Sequence, residues 1–135
     1  MTQEDKQLLL KDLCARLPYG VKVSSPDKKI CSIWSIPTIS IVSVINGSGQ
    51  SSHPIEDIKP YLRPMSSMTE EEKMEVNKLG VCYDGAFHND IYDIGISMEE
   101  AFTAISWFLE RHFDINYLIE KGLALKAPEG MYKTE

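Results

Sequence analysis

The separation of strand-type and helix-type sequence along the chain is the feature that most constrains its fold. Residues 20–46 are rich in β-branched residues and serine, in the runs VKV, KICSIWSI and TISIVSVI. Apolar residues at helical spacing precede this stretch at 2–17 and follow it after residue 69. Strands and helices in separate parts of a chain predict an α+β fold.

The strand-type stretch predicts a small, curved antiparallel sheet of three to four strands, which could be barrel-like. SPDK at 25–28 is a turn between the first two strands, because Pro26 presets a turn backbone. Pro37 either separates the second and third runs or marks an edge strand. Imperfect alternation after Pro37 indicates a β-bulge or a sheet covered on both faces.

Capping boxes predict where two helices begin. Thr2 with Asp5, and Thr69 with Glu72, place an acid three residues after a threonine. The first helix, 2–17, is predicted to bury one stripe: Leu9, Leu10, Leu13, Cys14 and Leu17. A helix that begins after Ser97 is predicted to bury another: Ala101, Phe102, Ile105, Phe108, Leu109 and His112.

The C-terminal stretch predicts a last short helix, INYLIEKG, with Asp114 as its cap and Gly122 as its terminator. The following ALKAPEGMY is expected to lie against the body of the protein. Residues 1–135 are therefore predicted to form a single domain with an N-terminal helix, the sheet, and two to three C-terminal helices.

Composition excludes several classes of protein. The chain has 135 residues, 43% of them hydrophobic and 25% charged, which is ordinary for a globular domain. No stretch has the roughly 20 apolar residues of a membrane helix, and the acidic start MTQEDK argues against a signal peptide. Cys14, Cys31 and Cys82 form no CxxC pair, so we expect reduced core thiols in the cytoplasm.

Charge is concentrated in the middle of the sequence. Residues 66–110 carry 10 acidic and 2 basic side chains, whereas the whole chain has a net charge of −6. Direct binding to nucleic acid is disfavoured, because it needs lysine and arginine to neutralise phosphates. The acidic section could instead bind a basic protein, and we name Glu70, Glu71, Glu72 and Glu75 as candidate protein-binding residues. A solvated surface is the simpler interpretation.

The segment CYDGAFHNDIYD, 82–93, is the best cluster of chemically active side chains. Carboxylates and an imidazole could together bind a divalent metal or transfer protons. The candidate metal ligands are Asp84, His88, Asp90 and Asp93. Their spacing matches neither a zinc module nor a calcium loop, so a polar surface loop is the competing interpretation.

The sequence contains no cofactor motif. NGSGQSSH at 46–53 is small and polar enough to contact a phosphate, but it matches neither GxGxxG nor GxxxxGK[ST]. A hairpin turn or loop is the better interpretation. No serine lies in a GxSxG motif. We therefore predict no cofactor.

Three stretches resemble a known family. LLLKDLCARLPYGVKV (8–23), IEDIKPYLRPMSSMTEEE (55–72) and HFDINYLIEKGLALKAPEGMY (112–132) are similar to small proteins of unknown function from gut Bacteroidales and their phages and mobile elements. Ile115-Asn116-Tyr117 stands where that family commonly has Tyr-Arg-Gly, so no role of that arginine carries over. The resemblance implies a cytoplasmic, bacterial or phage setting and no activity.

Three functional hypotheses follow. The first is a non-enzymatic accessory protein of a phage or mobile element that binds a host or phage protein through its acidic section. The second is a metal-binding protein or small enzyme that uses the 82–93 loop. The third is a structural homo-oligomer paired through an edge of the sheet.

Overall fold

The computed structural model describes residues 1–79, 82–83, 87–88 and 98–132. Within them the helices are α1 (Gln3–Arg16), α2 (Glu70–Lys78) and α3 (Met98–Glu110). The strands are β1 (Lys22–Ser24), β2 (Ile30–Thr38), β3 (Ile41–Asn46), β4 (Gly49–Pro54), β5 (Lys59–Leu62), β6 (Cys82–Tyr83), β7 (Phe87–His88) and β8 (Leu125–Lys126). Short 3-10 turns occupy Leu17–Tyr19, Ile55–Asp57 and Met65–Ser67.

The α+β class is confirmed, but the main sheet has six strands rather than the predicted three to four. Six strands form one open mixed sheet in the order β4-β3-β2-β1-β5-β8. Neighbouring strands are antiparallel except β5 and β8, which are parallel. The sheet does not close, so the barrel prediction is wrong. The strands β6 and β7 form a separate antiparallel pair.

Sequence reasoning missed the short strands β6, β7 and β8, and the longer edge strand β4. The residues of β4, GQSSHP, show no apolar alternation and were assigned largely to a hairpin turn or loop. An edge strand with both faces near solvent needs no such alternation, and its residues are exposed except for the half-buried His53. The expected turn at NGSG is confirmed, since Asn46 pairs with Gly49 at the end of the β3–β4 hairpin.

The predicted irregularity lies between β2 and β3. Ile33 pairs with Val44 and Ser35 pairs with Ser43, so Trp34 is an extra residue in β2. A second shift in register lies between Ser35 and Thr38. Pro37 is part of this irregular segment, so it lies within β2 rather than between two strands. The imperfect alternation after Pro37 falls in β3, where the consecutive residues Val42, Ser43 and Val44 are all buried, as in a strand covered on both faces.

Helix α1 begins as predicted, with a complete Thr2–Asp5 capping box. Its buried residues are Leu9, Asp12, Leu13 and Arg16. The predicted stripe was partly wrong, because Cys14 is exposed and Leu17 is 38% exposed. The buried face is centred between Leu9 and Leu13, and it includes Asp12 and Arg16, which form an ion pair with each other. Cys31 is buried as expected.

The core has two parts. The larger packs Leu9 and Leu13 of α1 against sheet residues such as Val23 and Val42. The smaller lies beneath α2 and α3: Met65, Met68, Val76, Ala104, Trp107, Phe108 and Phe113. Trp107, Phe108 and Phe113 pack ring against ring, with centroids 5.1–5.9 Å apart.

The predicted C-terminal helix is replaced by consecutive turns, although its two end signals are real. Asp114 accepts hydrogen bonds from the backbone N–H groups of Leu118 and Ile119. Gly122 has φ +75°, and the bonds Gly122 N–Ile119 O and Leu123 N–Leu118 O form a Schellman motif. The tail then lies against the body, as predicted, through β8 and Tyr132.

Candidate protein-binding surface

The predicted metal-binding residues fall largely outside the described part of the chain. Asp84, Asp90 and Asp93 lie outside it, and the backbone of His88 belongs to β7, where it pairs with Cys82. Among the described residues, no group of three or more His, Cys, Asp or Glu side chains could hold a metal ion. The 82–93 site therefore stays a prediction.

Of the four candidate acids on α2, Glu72 is the most buried, with 7% of its surface exposed. It completes the predicted capping box with Thr69 and accepts two hydrogen bonds from Arg63, at 2.9 and 2.7 Å. Burial raises the pKa of Glu72, but the bonds from Arg63 and Thr69 outweigh it, so the pKa is lowered overall. Glu72 thus fastens α2 to the end of β5.

Glu75 connects the two C-terminal helices. Its Oε2 accepts hydrogen bonds from Trp107 Nε1 at 3.1 Å and from Arg111 Nη2 at 3.3 Å. The Arg111 guanidinium also lies 4.2 Å from the Trp107 ring centroid, a cation–π arrangement. The carboxylate is half exposed, so it stabilises the helix pair while remaining accessible at the surface.

Glu70 and Glu71 face solvent at the first turn of α2. Glu70 forms an ion pair of 3.2 Å with Lys73, and its side chain is 88% exposed. Both acids also favour the helix, because their charge complements the positive end of its dipole. Both are exposed, whereas Glu72 is buried.

The outer face of α3 carries an apolar ridge, and sequence reasoning had wrongly assigned two of its residues, Phe102 and Ile105, to the core. Met98 is 87% exposed, Phe102 72% and Ile105 50%. Spacings of four and three residues align these side chains on one face. The predicted stripe is confirmed at Phe108, Leu109 and His112, which are buried, and α3 also buries Ala104 and Trp107. We call Met98, Phe102 and Ile105 the α3 ridge.

Acidic residues flank the α3 ridge. At 100° per residue, Glu99 and Glu110 project from the same side of the helix, next to the ridge and away from the core. Both are exposed. They give the α3 ridge an acidic border on one side, where Glu110 also lies 3.9 Å from Arg111.

A cluster of buried polar side chains connects α1 to the turns that follow α3. Arg16 is 0% exposed and donates to Asp12 Oδ1 at 2.6 Å and to the Phe113 carbonyl at 2.6 Å. Asn116 donates to Asp12 Oδ2 at 2.8 Å. These bonds join α1 to the turn after α3, so the cluster is structural.

His112 occupies the position after α3 that usually holds glycine. Its φ is +64°, and the bonds His112 N–Leu109 O and Phe113 N–Phe108 O form a second Schellman motif. The ring stacks on Tyr132 with centroids 3.8 Å apart. Burial, together with the charges of Arg16, Arg63 and Lys22, lowers the pKa of His112 to about 4. The imidazole is therefore neutral at pH 7.

A groove of about 640 Å³ separates the start of α2 from the C-terminal tail. Arg63, Lys126, Glu129 and Tyr132 contribute to its lining, with hydroxyl groups from the α2 side. Arg63 is already engaged by Glu72, and Glu129 balances Lys126 in charge. The groove consequently favours no single class of ligand.

Among the described residues, no helix is long and apolar enough to cross a membrane. No protein-family model, curated protein or solved structure matches the chain.

Proposed function

We propose that this protein is a non-enzymatic accessory protein of a phage or mobile element, which acts in the bacterial cytoplasm by binding a host or phage protein. The observation that carries the proposal is the α3 ridge. The family resemblance of the sequence supplies the setting.

The α3 ridge has the composition of a contact surface. Met and Phe are enriched in the centres of protein interfaces, and Met adapts to the shape of a partner. Three large apolar side chains at i, i+4 and i+7 match the anchor spacing of a helix that docks in a groove. The opposite face of α3 packs Trp107 and Phe108 in the core, and no ridge residue belongs to either core cluster of the described residues.

The acidic border defines the chemistry of the partner. Glu99 and Glu110 flank the α3 ridge, and Glu70 and Glu71 project from α2. A partner with an apolar groove and a basic rim complements this surface. Fewer acids are free for a partner than the sequence count implies, because Glu72 and Glu75 bind arginine within the molecule. Glu70 and Glu110 also form ion pairs, with Lys73 and Arg111. Binding should thus be only partly salt-sensitive.

The test is capture of the partner by the tagged full-length chain from a Bacteroidales lysate, quantified by mass spectrometry. We compare the wild type with Phe102→Ser/Ile105→Ser, and use Ile39→Ser as the matched control. Ile39 is 78% exposed and lies at the β2–β3 turn, so it removes an exposed apolar group away from the ridge. Circular dichroism checks that each variant folds.

We expect one protein to be enriched by the wild type and by Ile39→Ser, and to fall at least about tenfold with the ridge variant. A partner that the ridge variant captures as well as the wild type contradicts the proposal.

A metal-binding protein or small enzyme remains the second candidate. The backbone register of β6 and β7 pairs Cys82 with His88, so two residues of the 82–93 cluster are partners in one ladder. Elemental analysis of the purified chain, with thermal shifts in zinc, manganese and magnesium, tests this candidate. A bound metal that Cys82→Ser/His88→Ala abolishes would support it, and no metal and no shift would eliminate it.

A further inference from the structure

The β4 strand leaves one edge of the main sheet open. It lies at the end of the strand order and pairs with β3 alone among the described strands. Its register with β3 is unbroken from Ile41–Pro54 to Asn46–Gly49. Natural proteins usually protect such an edge with charges, prolines or bulges. Here, Pro54 at the very end is the one such feature in β4.

The backbone groups that point outward from β4 can be identified. Ile55 N donates to Ser40 O at 2.9 Å, so residues 40 and 55 form a hydrogen-bonded pair. In an antiparallel ladder such pairs alternate, which assigns residues 51 and 53 to the β3 side. The N–H and C=O groups of Gln50 and Ser52 therefore face away from the sheet.

The two ends of this edge differ in charge. Lys29 lines a hollow with Ser48, Gly49 and Gln50 at the start of β4. Asp27 lines the same hollow and pairs with Lys29 at 3.7 Å, so the exposed Lys28 leaves this end with a net positive charge. Glu56 and Asp57 follow the far end of β4 and are exposed. Glu56 lies 3.9 Å from Lys6, so Asp57 leaves this end with a net negative charge. Between these ends the strand carries no acidic or basic residue other than His53.

We infer that the protein forms a homodimer in which β4 pairs antiparallel with β4 of a second copy. A two-fold axis through Ser51 places Gln50 opposite Ser52 of the other copy, so that every outward N–H meets an outward C=O. The same axis brings the lysine end of one strand to the acidic end of the other. In this arrangement no two like charges lie directly opposite each other across the β4–β4 pair, so pairing with a second copy meets no charge repulsion along the strand.

Sedimentation of the full chain over a range of concentrations tests the dimer. We expect the mass to rise from 15.3 kDa, that of one chain, to twice that value. Gln50→Lys/Ser52→Lys sets lysines directly opposite each other and should raise the dimer dissociation constant at least about tenfold. Ile30→Lys/Trp34→Lys, on the exposed side of the interior strand β2, should leave it unchanged.

Cross-linking tests the register. In a Cys14→Ser background, Ser51→Cys should form an intermolecular disulfide on oxidation, because non-hydrogen-bonded residues lie about 4.5 Å apart across the pair. Gln50→Cys, which faces Ser52 of the other copy, should cross-link less. A chain that stays at 15.3 kDa at every concentration overturns the inference, as does a dimer that both lysine variants leave intact.

Discussion

Arg63 and Glu72 join the end of β5 to the first turn of α2 through two parallel hydrogen bonds of 2.9 and 2.7 Å. The Arg63 guanidinium also lies 4.1 Å from the Phe113 ring centroid, so the same side chain contacts the smaller core. This arrangement sets the position of the α2–α3 pair, and with it the α3 ridge, relative to the sheet.

Removing this carboxylate should destabilise the fold. Glu72→Ala leaves Arg63 unpaired and opens the capping box, so we expect the free energy of unfolding to fall by about 2 kcal/mol. Glu71→Ala, one residue earlier and exposed, should change it by less than about 0.5 kcal/mol. Urea unfolding measures both variants, and equal effects would show that the Arg63–Glu72 pair contributes nothing specific.

The buried pair in α1 should be more costly to break. Asp12→Ala leaves the Arg16 guanidinium, which is 0% exposed, without its carboxylate partner. We expect a loss of about 3 kcal/mol in the free energy of unfolding. Lys11→Ala, on the exposed side of α1, is the control. A loss below about 1 kcal/mol for Asp12→Ala would mean that Arg16 finds another acceptor.

His112 should make stability depend on mildly acidic pH. Its pKa is about 4 in the folded chain and near the ordinary 6.5 when unfolded. Between pH 6.5 and 4 the unfolded chain binds the additional proton, so stability falls as pH falls, by at most about 1.4 kcal/mol per pH unit from this group.

The matching variant is His112→Asn, because asparagine tolerates positive φ. It should lose part of the stability decrease that the wild type shows between pH 7 and 5, whereas His53→Asn controls for removal of a histidine. Urea unfolding at several pH values gives the slopes. An unchanged slope in His112→Asn would rule out this source of pH dependence.

The C-terminal tail is held by Tyr132. Its hydroxyl donates to Tyr61 O at 2.7 Å and accepts from Lys22 N at 2.8 Å. Tyr132→Phe keeps the stacking on His112 and removes these bonds, so we expect a loss of about 1 kcal/mol and faster hydrogen exchange in β8. Tyr117→Phe, at an exposed tyrosine, is the control. Unchanged exchange would show that stacking alone holds the tail.

Local signals in the sequence were reliable where short-range chemistry decides the structure. The capping boxes at Thr2 and Thr69, and the glycine signal at Gly122, are all present in the structure. The prediction of a helix at INYLIEKG was wrong. The Asp114 carboxylate and the turn at Gly122 supply hydrogen-bond partners for the backbone of this segment without a regular helix. The strand β4 was not predicted, because an edge strand can be polar on both faces and then shows no apolar alternation.

The candidate site could be predicted only in part. The acids of α2 were identified, but their arginine partners were not, since Arg63 and Arg111 come from distant parts of the sequence. In α3, apolar residues occur on two faces, and periodicity alone cannot say which face is buried. The presence of large apolar residues on both faces was the available signal that one of them would be exposed.

Site-specific photo-cross-linking inside Bacteroidales cells tests the α3 ridge most directly. A photoreactive phenylalanine analogue replaces Phe102 in one variant and Ile39 in the control, both at exposed positions. We predict a defined cross-linked protein from position 102 that is absent from position 39. No cross-linked protein from position 102, or the same products from both positions, would contradict a partner docked on the α3 ridge.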